Sequence, residues 1–382
     1  MFALAVGLVI APFAAALYAY VGYPLVLMIA ARVRRGEVIA STRLEWPSVT
    51  VTLPVYNVAS RIGTTIERLL DIDYPRDRLQ ILVISDASND GTDDVVRSFA
   101  SRGVELLRLE TRRGKTTAEN VALASARGDI IVNVDASILL PAGSLKSLVR
   151  AFDDETIGVA SGRDVSVGEH ERAPTGGESR YVGYEMWVRD LETRTGSIVG
   201  ASGCFYGIRR CIHTQPLPGH LSWDFASALV ARELGYRAVS VPAAICLVPR
   251  TPEIRTELRR KVRTMARGLS TLIYKRALMN PMRYGWFAFM LVSHKLLRWI
   301  PFLLAPVALV ALAVLALDND SARIALGAIT AGLLVGVAGM KSSARHSMLR
   351  PIALAGFVLA ACSAGFLAWV EALRRTEMAT WE

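Results

Sequence analysis

Cysteine and histidine are scarce in this chain, with four of the former and five of the latter among 382 residues. Cys204, Cys211, Cys246 and Cys362 form no metal-ligand spacing, so a zinc module is excluded and a reducing cytoplasm suits them. His170, His213 and His220 show no ligand spacing either. Internal repeats and low-complexity tracts are absent, and no RNA- or DNA-binding motif accompanies the formal net charge of +10. Nucleic acid is therefore not the expected partner. Charge itself is missing from Phe2 to Ala31, from Ile324 to Met340 and from Pro351 to Val370. A fourth apolar stretch, Phe287–Leu317, carries only His294, Lys295 and Arg298 near its start.

Apolar runs of that length are long enough to cross a bilayer, and they account for the hydrophobic fraction of 52%. The surplus basic charge lies beside them. Arg32, Arg34 and Arg35 follow the first run, and Arg255, Arg259, Arg260, Lys261, Arg263 and Arg267 precede the second. Such flanks read as a positive-inside signal with contact to anionic lipid headgroups. The first run has no basic leader and arginines behind it, the pattern of an outside-to-inside anchor. The expected organisation is an N-terminal span over 1–31, a cytoplasmic domain over 45–250, an interface region over 251–284 and three further spans within 285–373. Lys341, Arg345 and Arg350 would face the cytoplasm, in an inner (plasma) membrane. Arginines alternating with Leu, Val, Met and Ile at near-helical spacing from Arg255 to Tyr274 predict an amphipathic helix on that membrane face. Snorkelling and an aromatic belt are the ordinary readings of His294, Lys295, Arg298 and Trp299, with contact to the acceptor as the alternative.

The central region alternates in period. Strand-like runs at Val49–Leu53, Leu79–Ser85, Val104–Leu109 and Ile130–Val134 are separated by helical patterns at Thr64–Leu70, Thr92–Ala100 and Thr116–Ala126. Short apolar strands divided by helices indicate an α/β domain with a mainly parallel sheet covered on both faces. Ligands bind such sheets beyond the carboxyl ends of the strands. Each run does end in polar residues: Tyr56-Asn57, then Asp86 to Thr92, then Arg112 to Lys115, then Asp135-Ala136-Ser137. Any one of these is ordinary turn chemistry, but their repetition at successive strand ends points to a site.

The ordered set Leu53-Pro54-Val55-Tyr56-Asn57, Asp86 to Thr92, Arg113-Gly114-Lys115 and Val134-Asp135-Ala136 resembles the family 2 glycosyltransferases, among them the membrane-bound synthases of cellulose, chitin, hyaluronan and poly-N-acetylglucosamine. The resemblance continues through Val199 to Arg210, Ser222-Trp223-Asp224 and Arg260 to Arg263. It implies a glycosyltransferase A-type fold and an inverting transferase that takes a UDP-linked sugar to a glycan or lipid-linked acceptor. In that reading Asp86 bonds the uracil edge, Tyr56 lines the base pocket and Lys115 approaches the nucleotide. Asp135 binds Mg²⁺ or Mn²⁺, Asp224 deprotonates the acceptor hydroxyl, and Arg263 faces the diphosphate. Transfer expels a diphosphate, so cations must oppose charge growing on the leaving oxygen while a carboxylate takes the acceptor's proton.

Locally, Asp224 at a helix start reads as a cap; the family position makes it a base. Asp90 reads as a turn or cap residue, and Glu185 and Asp190 as solvated or acceptor-side residues. Three positions depart from the family pattern: Ser137 replaces the second aspartate of the metal motif, Arg260 and Thr264 replace the glutamine and tryptophan of the arginine motif, and Ser202 stands where an acid or threonine is common. They put metal affinity and chain growth in doubt rather than transfer. An export route would need further copies or a partner, and a catalytically degenerate nucleotide- or glycan-binding subunit is the competing reading.

Overall fold

The computed structural model describes residues 2–33, 45–167, 177–249, 254–341 and 350–374. Arg34, Arg35, Arg345 and His170 lie outside them. Two compact units emerge, one built mainly from residues 27–252 and 275–287, the other from residues 1–26, 253–274 and 288–376.

The first unit carries a seven-stranded sheet in the order β3-β2-β1-β4-β6-β5-β7. Its strands are β1 (Val49–Val55), β2 (Leu79–Ser85), β3 (Val104–Arg108), β4 (Ile130–Val134), β5 (Ile157–Val167), β6 (Phe205–Arg209) and β7 (Arg237–Pro249). Only β6 runs antiparallel, to both β4 and β5; the remaining pairs are parallel. Every residue of β1 is buried. Val51 and Leu53 join one apolar core with Ile62, Ile66, Val83 and Val132. On the opposite face the threonines are also buried, and each finds a partner on a neighbouring strand. Thr50 Oγ1 donates to Gln80 Oε1 at 2.7 Å and Thr52 Oγ1 to Asn133 Oδ1 at 2.7 Å. Burial without loss of hydrogen bonds is what lets a central strand carry polar residues at all.

β1, β2, β3 and β4 match the expected runs to within two residues. β5, β6 and β7 extend the sheet past β4, and β5 and β7 are its longest strands, with 11 and 13 residues. Because β6 is antiparallel, β5 and β7 again point their carboxyl ends to the same edge as β4. The register slips between Ser161 and Arg163, where the pairing jumps from Ser240 to Ile245.

In the second unit, helix Ile254–Tyr274 is amphipathic as expected: Ala266, Leu269 and Leu272 are buried, whereas Arg259, Arg260 and Thr264 are exposed. Gly268 lets it approach the ring of Trp299, whose carbonyl accepts a hydrogen bond from Trp369 Nε1 at 2.9 Å. His294 and Arg298 are buried within this unit, so they do not reach out to a surface as the snorkelling reading expected. Among the described residues three helices are long and apolar enough to cross a membrane: Phe2–Val33, Pro281–Leu315 and Asp320–Met340. The fourth expected place is also helical, Arg350–Arg374, and its Gly356 meets the backbone of Gly339 closely, the small-residue packing that membrane helices use.

Gly128 precedes β4 where the chain crosses β1; its N–H donates to Thr50 Oγ1 at 2.8 Å. A β-carbon there would collide with the backbone of Val49 and Thr50. Gly128→Ala is expected to destabilise the chain by about 1–3 kcal/mol, measured as a lowered melting temperature in detergent.

Candidate active site at the carboxyl edge of the sheet

At the end of β2, Asp86 N–H donates to Val55 O at 2.9 Å and turns a fully buried carboxylate inward. Its Oδ1 accepts the N–H of Arg113 at 2.7 Å and its Oδ2 that of Gly114 at 2.8 Å. Gly114 has φ 86, a left-handed value that suits glycine and lets the chain turn directly into helix Lys115–Ser125. Ala87, next to Asp86, also has a left-handed φ of 59, a strained conformation of the kind that gathers at functional sites. Asp86 thus reaches this edge as expected, but both its oxygens already hold the loop that delivers Lys115.

The loop after β1 is clamped to the loop after β2. Asn57 Nδ2 donates to Asn89 Oδ1 and Asn89 N–H to Asn57 Oδ1, each at 2.9 Å. Asp90 proves to be the turn residue its sequence context indicates: it accepts the N–H of Thr92 through Oδ1 and that of Ala59 through Oδ2, both at 3.0 Å. Tyr56 lies beside these clamps, and the Arg112 guanidinium sits 3.8 Å from the centre of its ring. The sequence places Arg112 among the strand-end polar residues without giving it a role.

Lys115 opens its helix and reaches across to three oxygens. Its ammonium pairs with Asp135, donates to Gly203 O at 2.9 Å and lies 3.9 Å from Glu119 Oε1. Burial alone would lower its pKa, but the charges of Asp135 and Glu119 outweigh burial and hold it above the ordinary lysine value. Glu119, one helical turn after Lys115, was visible in the sequence only as an i+4 acid. Tyr206, fully buried on β6, donates to Glu119 Oε1 at 3.4 Å and is raised well above the usual tyrosine value by burial and by the charges of Glu119, Asp224 and Asp135.

Residues Ser202 to Cys204 form a strap leading into β6. Cys204 O accepts the N–H of Asp135 at 3.0 Å, and Gly203 O receives Lys115. A β-carbon on Gly203 would stand 3.1 Å from Asp224 Oδ2, so this glycine borders the Asp224 carboxylate. Asp224 is not a cap. Ser222 takes the cap position of helix Trp223–Glu233 and donates through Oγ to Asp224 Oδ1 at 2.6 Å, which leaves Asp224 in the first turn. A carboxylate there faces the positive end of the helix dipole. Trp223 anchors this start: its Nε1 donates to Asn120 Oδ1 at 2.9 Å, and its ring lies 4.0 Å from that of His213. Glu185 is buried with its carboxylate 3.7 Å from Arg189, which rules out the solvated reading, and Asp190 accepts from Ser240 at 3.0 Å.

By its motif Asp135 is the carboxylate that would hold a divalent metal, and its Oδ1 is engaged by Lys115. Ser137 is exposed, and among the described residues no three His, Cys, Asp or Glu side chains are grouped to hold an ion. The donor set fits Mg²⁺ or Mn²⁺ in the substrate-dependent manner, one protein carboxylate completed by phosphate oxygens and water. The sheet unit therefore brings together Tyr56, Asp86, Lys115, Asp135 and Asp224. Arg263 stands on helix Ile254–Tyr274, in the other unit.

Residues 50–213 match the family model described as glycosyl transferase family 2. Nearly the whole chain is similar to a solved mannosyltransferase from Pyrobaculum calidifontis, in complex with GDP-Man and Mn²⁺, at 25% identity and a TM-score of 0.72, covering 98% of this chain and 99% of the other. The sheet unit is thus a glycosyltransferase A-type α/β fold. Among curated relatives, a probable glycosyltransferase, YdaM of Bacillus subtilis, is 28% identical over 216 residues, 53% of this chain and 50% of its own. An N-acetylglucosaminyltransferase of Mesorhizobium japonicum is 27% identical over 239 residues, 56% of this chain and 55% of its own. The chain spans about half the length of these curated relatives.

Two measurements test this geometry. Lys115→Met leaves Asp135 and Glu119 without their shared cation and is expected to cost about 3 kcal/mol, read as a lowered denaturation midpoint. His213 is pushed down to about 3 by burial and by Lys275, so it is neutral in the fold and protonates more readily once unfolded. The stability this contributes is complete above about pH 6.5 and is lost as pH falls towards 3, at up to about 1.4 kcal/mol per pH unit. The decline in melting temperature over that window should be shallower in His213→Asn.

Proposed function

We propose that the chain is a membrane-associated inverting family 2 glycosyltransferase, moving a hexosyl or N-acetylhexosaminyl group from a nucleotide-sugar donor to a glycan or lipid-linked acceptor at the cytoplasmic face. The observation that carries this reading is the convergence of Asp135, Lys115, the Gly203 strap and Asp224 at the carboxyl edge of one sheet. Tyr56 and Asp86 sit on the side of the edge where a base would lie. Asp224 takes the proton of the acceptor hydroxyl while its oxygen forms a bond to the anomeric carbon. The bond from that carbon to the diphosphate breaks, and the electron pair leaves with the nucleoside diphosphate. One displacement of this kind inverts the anomeric centre.

Lys115 opposes the charge that grows on the leaving oxygen, in a site whose dipoles are ordered beforehand. Arg263, assigned by its motif, adds a second cation. A divalent ion held by Asp135 would supply further positive charge to the diphosphate when bound. The apolar helices support a membrane location, and lipid contact through helix Ile254–Tyr274 follows from its basic face.

The test incubates the purified chain with UDP- and GDP-sugars, Mg²⁺ or Mn²⁺ and cell lipids, and follows nucleotide release and product linkage. Asp224→Asn is expected to slow transfer by about 10²–10⁴-fold while nucleotide affinity is retained. Tight nucleotide binding without turnover for any donor and acceptor would refute the enzyme reading in favour of a binding subunit.

A further inference from the structure

The sheet sets out the site in a fixed order. Asp86 follows β2, Tyr56 follows β1, Asp135 follows β4, the strap leads into β6, and β5 comes next. A nucleotide sugar is itself linear, running from base through diphosphate to sugar. With its base at β2 and β1 and its diphosphate at Asp135, the anomeric carbon and the attacking hydroxyl fall towards β6 and β5. Neighbouring strands lie about 4.8 Å apart, so β5 is about 10 Å beyond Asp135. Its carboxyl end carries Asp164.

Asp164 is built into the strap. Its Oδ1 accepts Ser202 Oγ at 2.6 Å and Cys246 Sγ at 3.1 Å. Ser202 N–H in turn donates to Ser161 Oγ at 2.8 Å, and the next residue, Gly203, borders Asp224. Among the described residues Asp164 Oδ2 has no partner, and the side chain is half-buried. The register slip between Ser161 and Arg163 immediately precedes it, and irregularities of this type re-aim side chains beside active sites. Gly162, within that slip, has no room for a β-carbon against the Phe205 ring, which fixes the path of β5 just ahead of Asp164.

On the transferase reading above, we infer that Asp164 is an acceptor-binding residue: Oδ1 locks the strap, and Oδ2 accepts a hydrogen bond from a hydroxyl next to the one that Asp224 deprotonates. The acceptor class follows from the chemistry. An acceptor with adjacent hydroxyls, a pyranose, supplies one as nucleophile and one as donor to Asp164. A phosphate-headed acceptor would instead bring an anion against Asp164 and Asp224 together. Ser202 then has a function in this chain: it anchors a carboxylate that comes from β5.

The purified full-length chain, supplied with the donor that gives nucleotide release, is offered octyl β-glucoside and, separately, decyl phosphate. Octyl β-glucoside should raise release above the rate with water, and decyl phosphate should not. In Asp164→Asn the KM for octyl β-glucoside should rise roughly ten- to hundredfold with kcat changed less than about threefold, as for one lost charge-assisted hydrogen bond. Nucleotide affinity by calorimetry should be unchanged, which also shows that the variant folds. Ser202→Ala, which frees the anchor but keeps the carboxylate, should give a smaller rise. The inference is overturned by an unchanged KM in Asp164→Asn, by a rise in the donor KM instead, by preference for decyl phosphate, or by no gain over water with the glucoside. Absence of nucleotide release from the unmodified chain with every donor would refute the transferase reading itself, and this inference with it.

Discussion

The ammonium of Lys115 is the constraint on which the rest of the site depends. It bonds a carboxylate from β4, lies close to a carboxylate on its own helix and bonds the carbonyl of the strap, and so ties the helix after β3 to the edge where β4 and β6 meet. Without a cation there, Asp135, Glu119 and Asp224 would be three acids gathered at one partly dehydrated edge, and their repulsion would favour protonation or opening. With it, the negative charge is held as an ordered array. On the proposed reading the same cation would also meet a diphosphate, whose charge resembles that of the carboxylates it already balances.

Order is set before any substrate arrives, largely through backbone amides. Asp86 holds Arg113 and Gly114, Asp90 ties Thr92 and Ala59, and the two asparagines Asn57 and Asn89 clamp each other. The bonds to Asp86 satisfy a buried carboxylate, and together with the exposed clamps they tie the loops after β1, β2 and β3 into one edge. In many enzymes preorganisation of that kind is the largest single source of stabilisation for developing charge.

The first four strands were legible because their physics is one-dimensional: β1, β2 and β4 are buried, apolar and β-branched, and each ends in turn chemistry. β5 and β7 were not, since Gly158, Gly162 and Asp164 interrupt the one and Pro242 the other, and a register slip joins them. Their place in the sheet depends on the antiparallel turn of β6, which is a tertiary fact. Asp86, Lys115, Asp135 and Asp224 could be singled out because they stand at strand and helix ends within a recognisable order. The partners they use could not. Glu119 looks like any surface acid of a helix, Gly203 acts through its carbonyl and its lack of a side chain, and Arg112 acts through its face on Tyr56. Local sequence suggested a cap for Asp224, and the cap falls two residues earlier because Ser222 has the extended backbone that position requires.

The departures from the family pattern take a different meaning once they are placed. Ser137 is exposed, so the missing second aspartate removes a surface ligand and leaves no buried charge uncompensated. Lys115 supplies cationic charge at Asp135. Thr264 is likewise exposed on the basic helix, where a tryptophan would have presented a broad ring. Neither substitution disturbs packing. Ser202 is the opposite case: it is buried, and its hydroxyl is spent on Asp164. The strap thus acquires a carboxylate from a neighbouring strand in place of one of its own, which moves negative charge outward from Asp224 towards β5.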